Sequence, residues 1–100
     1  MNMYDKSDKR RLYWLIDQYL SEQINGWTFC NEYYYSYSLE IKSDDLTDIE
    51  QDAFSELDKI SSRYTDIQED LIKYPGTYYN EEELKQKIIE TKEKLQKQSP

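Results

Sequence analysis

The chain has no histidine and no valine, and only one cysteine, two glycines and two prolines among its 100 residues. Without histidine, the commonest general base, proton shuttle and metal ligand are missing, and Cys30 alone builds neither a thiolate metal site nor an internal disulfide. Most hydrolytic and metal chemistries are thereby disfavoured, and no motif calls for a cofactor or a metal ion. The lack of valine and the scarcity of glycine and proline argue against a sheet-rich fold punctuated by turns. No apolar run approaches the roughly 20 residues that span a bilayer, and residues 1–11 are polar rather than signal-like. A cytoplasmic location is expected, with Cys30 reduced within a packed face.

What is present points to helices. A chain of 12.2 kDa has room for one domain, here taken as 1–100, and surface scaling lets it bury about 65% of the area its unfolded form exposes. Hydrophobic residues make up 37% and charged residues 34%, a balance suited to amphipathic helices around one core. The net charge of −8 is unevenly spread. Residues 1–42 contribute −1, residues 43–83 contribute −10 and residues 84–100 contribute +3. Such a chain is repelled by nucleic acid and by anionic lipid, so direct binding to either is disfavoured and a basic protein is the natural partner.

Periodicity predicts a compact four-helix bundle with helices at about 8–23, 27–41, 45–64 and 81–97, and a short helical turn near 67–73. Leu12, Leu15, Ile16, Tyr19 and Leu20 form one helical face, with Ser7 or Asp8 as its cap and Asn25-Gly26 as the break after it. The next stretch is ambiguous. Trp27, Cys30, Tyr34, Tyr37 and Ile41 fit a helix, whereas Tyr33, Tyr35, Tyr37, Leu39 and Ile41 alternate as a half-buried strand does. A strand needs a partner and no second alternating run exists, so the helix is preferred, the competing outcome being a strand paired across a dimer. Leu46, Ile49, Ala53, Leu57, Ile60 and Tyr64 define a third stripe, opened by the capping box Thr47-x-x-Glu50. Ile67, Leu71 and Ile72 form a short apolar turn halted by Tyr74-Pro75-Gly76. Asn80 caps the last helix, whose Leu84, Ile88, Thr91 and Leu95 face inward, and its leading glutamates and trailing lysines both suit the helix dipole.

Two features exceed what folding asks for. Asp45, Asp48, Asp52 and Glu56 recur three and four residues apart opposite the third stripe, where like charges cost a few tenths of a kcal/mol per pair. Asp66, Glu69 and Asp70 continue the series. A solvated face is the plain explanation, but a concentrated acidic ridge also imitates the phosphates of nucleic acid and steers a basic partner. The ridge works only if these carboxylates gather on one outward surface and are not paired with the lysines near the C-terminus. The second feature is eleven tyrosines, more than a small bundle can bury. Tyr19, Tyr37 and Tyr64 lie on core stripes, at least one of Tyr33, Tyr34 and Tyr35 must point outward, and Tyr74, Tyr78 and Tyr79 flank a Pro-Gly loop as candidate aromatic anchors. Catalysis is not expected: Asp44 with Asp48, or Glu82 with Glu83, are paired carboxylates, but nothing in the sequence sets them in an apolar pocket that would tune them.

The segment Leu15-Ile16-Asp17-Gln18-Tyr19-Leu20, then Ile24 and Phe29, a helix ending in Ile60 and Tyr64, and Tyr78-Tyr79-Asn80-Glu81-Glu82-Glu83-Leu84 together resemble the colicin D immunity protein family over about residues 12–95. That family comprises small acidic helical bundles, also found as immunity partners in contact-dependent growth inhibition. Asp70-Leu71-Ile72-Lys73-Tyr74-Pro75 is similar to the tyrosine-bearing segment of the DNase-colicin immunity proteins, with Lys73 in place of the first of two tyrosines. Both likenesses imply an antidote for a cognate nuclease toxin, in the first family typically one that attacks tRNA, with acidic side chains standing where substrate phosphates would lie. The expected contact residues are Asp45, Asp48, Asp52, Glu56, Asp66, Glu69, Asp70, Tyr74, Tyr78 and Tyr79, on a chain that is a monomer when free. A self-associating structural or adaptor bundle using the tyrosine-rich second helix, and a general nucleic-acid mimic, are the competing classes.

Overall fold

Asp8 starts the first helix by accepting a hydrogen bond from the Arg10 amide at 2.9 Å while pairing with the Arg10 guanidinium. The computed structural model describes residues 4–97 and is all-α among them. α1 is Arg10–Leu20, and α2, Gly26–Tyr33, continues into one π-helical turn, Tyr34–Ser38. A 3-10 turn, Ser43–Asp45, leads into α3, Asp48–Ser61, followed by the short α4, Gln68–Lys73, and α5, Glu81–Gln96. The four longer helices form the bundle, with α3 packed chiefly on α5 and α1 on α2.

The ends of the elements follow local chemistry. α1 stops at Leu20, short of the expected residue 23, because Glu22 takes a left-handed backbone with φ of 63°. Asn25-Gly26 is not a plain break. The Asn25 side chain accepts from the Thr28 amide at 2.7 Å and caps α2. The expected helix at 45–64 is shorter at both ends, since Thr47 forms the capping box with Glu50 and leaves Asp45 in the 3-10 turn, and the helix closes at Ser61. α5 opens on a second capping box, between Asn80 and Glu83. Residues 27–42 form no strand, and the π-helical turn ends the second helix at Ser38 rather than 41.

The core unites Leu12, Leu15, Ile16 and Tyr19 of α1 with Phe29 and Tyr33 of α2, Ala53, Phe54 and Leu57 of α3, and Leu84, Ile88 and Leu95 of α5. Aromatic rings make its spine: Phe29 on Tyr33 at 5.5 Å and Tyr33 on Tyr37 at 5.3 Å are stacked, and Phe54 meets Tyr13 edge-on at 5.6 Å. Tyr33 keeps its hydroxyl satisfied by donating to the Phe54 carbonyl at 2.8 Å, as a buried phenol must. The inward face of α2 is therefore Phe29 and Tyr33. Trp27 and Tyr34, expected on the inward stripe, are 62% and 49% exposed. In α3, Ala53 and Leu57 of the expected stripe are buried and Ile49 is exposed, while Phe54, outside the stripe, is fully buried against the rings of Tyr33 and Tyr13.

Candidate protein-binding surface

Buried charge in this bundle is structural. Glu50 accepts from Lys9 Nζ at 2.9 Å, from the Thr47 amide at 2.8 Å and from the Tyr13 hydroxyl, tying α1 to the start of α3. Arg11 is fully buried, donates to Glu32 and to the Tyr4 carbonyl, and lies over the Trp14 ring. Glu81 collects the hydroxyls of Tyr19 and Tyr64, and so joins α1, the connector and α5. Burial, then the Glu81 charge, pushes the Tyr64 phenol up to about 12, and burial with the same charge raises the Cys30 thiol to about 12. Sequence reasoning missed these three carboxylate anchors, because each depends on a donor far along the chain.

The acidic series is divided. Asp48 is exposed at the start of α3, next to exposed Asp44 and Asp45 in the preceding turn. Asp52 is held by Lys94 of α5 and Glu56 by Lys59 at 3.4 Å. The middle of the ridge is thus neutralised, in the case of Asp52 by a lysine of the C-terminal segment, and no continuous acidic face runs along α3. The 14 residues of α3 set roughly 20 Å between the acids before it and those after it.

After α3, of the predicted contact side chains the structure brings Tyr74 and Tyr78 together. Thr65 Oγ1 accepts from the Ile67 amide and donates to Asp70 Oδ2, each at 3.1 Å, which fixes the start of α4. α4 buries no residue at all. Ile67 and Ile72 are 55% and 73% exposed, and Tyr74, 46% exposed, meets Tyr78 edge-to-face at 6.0 Å. Lys73 lies over the Tyr74 ring, and earlier in the same segment Asp66 and Glu69 are exposed and Asp70 is half-buried. Of the expected apolar turn, only Leu71 is even half-buried. Pro75-Gly76 turns the chain back, with Gly76 at φ of 82° where a side chain would be strained. Tyr79 stands apart from the anchors. Its backbone pairs with the Tyr64 segment, accepting from Thr65 and donating to Arg63 at 3.0 and 2.9 Å, and its ring is half-buried.

Of Tyr33, Tyr34 and Tyr35, at least one of which was expected to point outward, Tyr34 and Tyr35 do; Trp27 and Leu39, exposed along the same helix and its π-helical turn, were not expected there. The paired acids Asp44 and Asp48, and Glu82 and Glu83, are all exposed. Among the described residues no group of His, Cys, Asp and Glu side chains is arranged to hold a metal ion, and no helix is long and apolar enough to cross a membrane. Comparison with known proteins finds no matching family model, no matching curated protein and no matching solved structure.

Proposed function

We propose that the protein is a cytoplasmic antidote of the immunity-protein kind, which binds and neutralises a cognate nuclease toxin and has no chemistry of its own. In the terms of the family it resembles, the toxin is a tRNase with a basic active-site cleft. The observation that carries this reading is the segment around α4, where Ile67 and Ile72 are exposed, only Leu71 and Asp70 are half-buried, Tyr74 meets Tyr78, and Asp66 and Glu69 are exposed. Folding gives no reason to keep isoleucines on a helix without a core face, whereas an apolar and aromatic centre with an acidic rim is how a surface recognises a basic partner. Rim acids steer association and the centre holds the complex together. Asp44, Asp45 and Asp48 add a second acidic group at the far end of α3. Asp52 and Glu56, already ion-paired, contribute less than their spacing suggested.

This reading expects the gene immediately upstream to encode a large secreted protein with a basic C-terminal nuclease domain, which this chain binds one-to-one and silences. Ile72→Ala or Tyr74→Ala should weaken that complex by about 2 kcal/mol, roughly thirtyfold. Asp66→Lys with Glu69→Lys should slow association in a salt-dependent way, and Asp52→Asn should leave it nearly unchanged. A nuclease that stays fully active in the presence of stoichiometric antidote, or a complex indifferent to Ile72 and Tyr74, overturns the proposal.

A further inference from the structure

We infer that the outer face of α2 is a self-association surface, which pairs with the same face of a second copy of this chain. Trp27, Tyr34, Tyr35 and Leu39, 62%, 49%, 40% and 54% exposed, follow one another at i, i+7, i+8 and i+12. They form a stripe about 18 Å long on one side of the helix and its π-helical extension. Tyr34 and Tyr35 already touch edge-on, with centroids 5.8 Å apart, so the middle of the stripe is preassembled.

Charge selects the occupant. Between Gly26 and Leu39 the one charged residue is Glu32, and buried Arg11 is bonded to it. At the margins, Lys6 lies over the Tyr35 ring and Glu40 follows Leu39, one charge of each sign. A basic protein finds no acidic border here, and nucleic acid or an anionic membrane finds no basic one. Two copies of a chain of net charge −8 repel each other through the acids around α3 and α4, but they meet without that penalty on a charge-balanced face. A two-fold axis through the centre of the stripe runs the helices antiparallel, so that Trp27 of one copy faces the partner's Leu39 and the tyrosines meet in the middle. Thr28 and Ser38 flank the stripe, and exposed Asn31, one turn from Trp27 and from Tyr34, lies within it as its one polar member. The four side chains offer roughly 400 Å² of apolar surface, about half of what one partner contributes to a standard interface. The pair is therefore weak, and the chain stays monomeric when dilute.

The test needs only the purified protein, so its outcome is independent of the toxin reading. Sedimentation equilibrium across low and high micromolar concentrations, at low and high salt, should show a monomer turning into a dimer that salt leaves intact or strengthens. Trp27→Glu and Tyr34→Glu should each weaken dimerisation at least about tenfold, with the helical circular dichroism unchanged because neither side chain is in the core. The inference is overturned by a monomer at every concentration, by a dimer that either variant retains, or by a dimer that salt dissociates. It is also overturned if Trp27→Glu leaves the mass unchanged while abolishing binding to the toxin, because the face then belongs to that partner.

Discussion

Glutamine in place of Glu50 probes how so small a bundle keeps a carboxylate inside. Glu50 is 3% exposed. Burial alone pushes its pKa up, but the hydrogen bonds from Tyr13, the Thr47 amide and Lys9 outweigh that and hold the carboxyl below its ordinary value of 4.5. Glutamine preserves the shape and one acceptor oxygen, but it removes the charge and turns an amide donor either toward the Tyr13 hydroxyl, on one oxygen, or toward Lys9 and the Thr47 amide, on the other. Hydrogen bonds to a charged group are worth about 1.5–3 kcal/mol each, and Lys9 regains water when released, so the net cost should be about 2 kcal/mol. Glu50→Ala also loses the reciprocal cap and should cost about 3–4 kcal/mol. Because the folded pKa is depressed, the Glu50 contribution is complete above the unfolded value of 4.5 and is lost as pH falls through the folded one. Urea unfolding of wild type and Glu50→Gln over a pH series should therefore show a gap that is widest at neutral pH and closes in acid. A gap below about 0.5 kcal/mol at neutral pH, or one that persists unchanged into acid, refutes the reasoning.

Three further outcomes follow from the same contacts. Gly26→Ala would place a Cβ 2.8 Å from Glu81 Oε2 and 3.1 Å from Leu84 Cδ2, prising Glu81 from the Tyr19 and Tyr64 hydroxyls. Thermal unfolding should report a loss of about 1–2 kcal/mol despite alanine's helix propensity, and a stabilised variant would show the contact to be soft. Glu22→Gly relieves a φ of 63° and should stabilise by about 1 kcal/mol, a prediction that a destabilised variant contradicts. The Cys30 thiol, raised from 9.0 to about 12, favours the folded state fully below its unfolded value and loses that contribution as pH climbs from there toward the folded one. In mildly alkaline buffer its alkylation should be about a hundredfold slower than that of a free cysteine peptide, and equal rates would mean the thiol is open to solvent.

The parts of this fold that could be read from the sequence are those decided within a few residues. Both capping boxes, Thr47 with Glu50 and Asn80 with Glu83, rest on side chains three positions apart, and the α1 stripe of Leu12, Leu15, Ile16 and Tyr19 is strong enough to stand alone. The segment from Trp27 to Leu39 has aromatic residues on nearly every side, so periodicity could not choose its inner face. Phe54 and Tyr13, from other helices, choose Phe29 and Tyr33. The candidate surface was legible in the same measure. Tyr74 and Tyr78, four residues apart, do meet. The pairing of Asp52 with Lys94 joins residues 42 positions apart, and only the docking of α5 on α3 creates it.

The short parallel bridge between Tyr64 and Tyr79 has a consequence for how such a protein changes. It is made of main-chain atoms, which any amino acid but proline provides, and it closes the stem of the excursion that carries α4. Residues 66–78 thus leave and rejoin the bundle at one point, and substitutions at the exposed Ile72 and Tyr74 should cost the fold little.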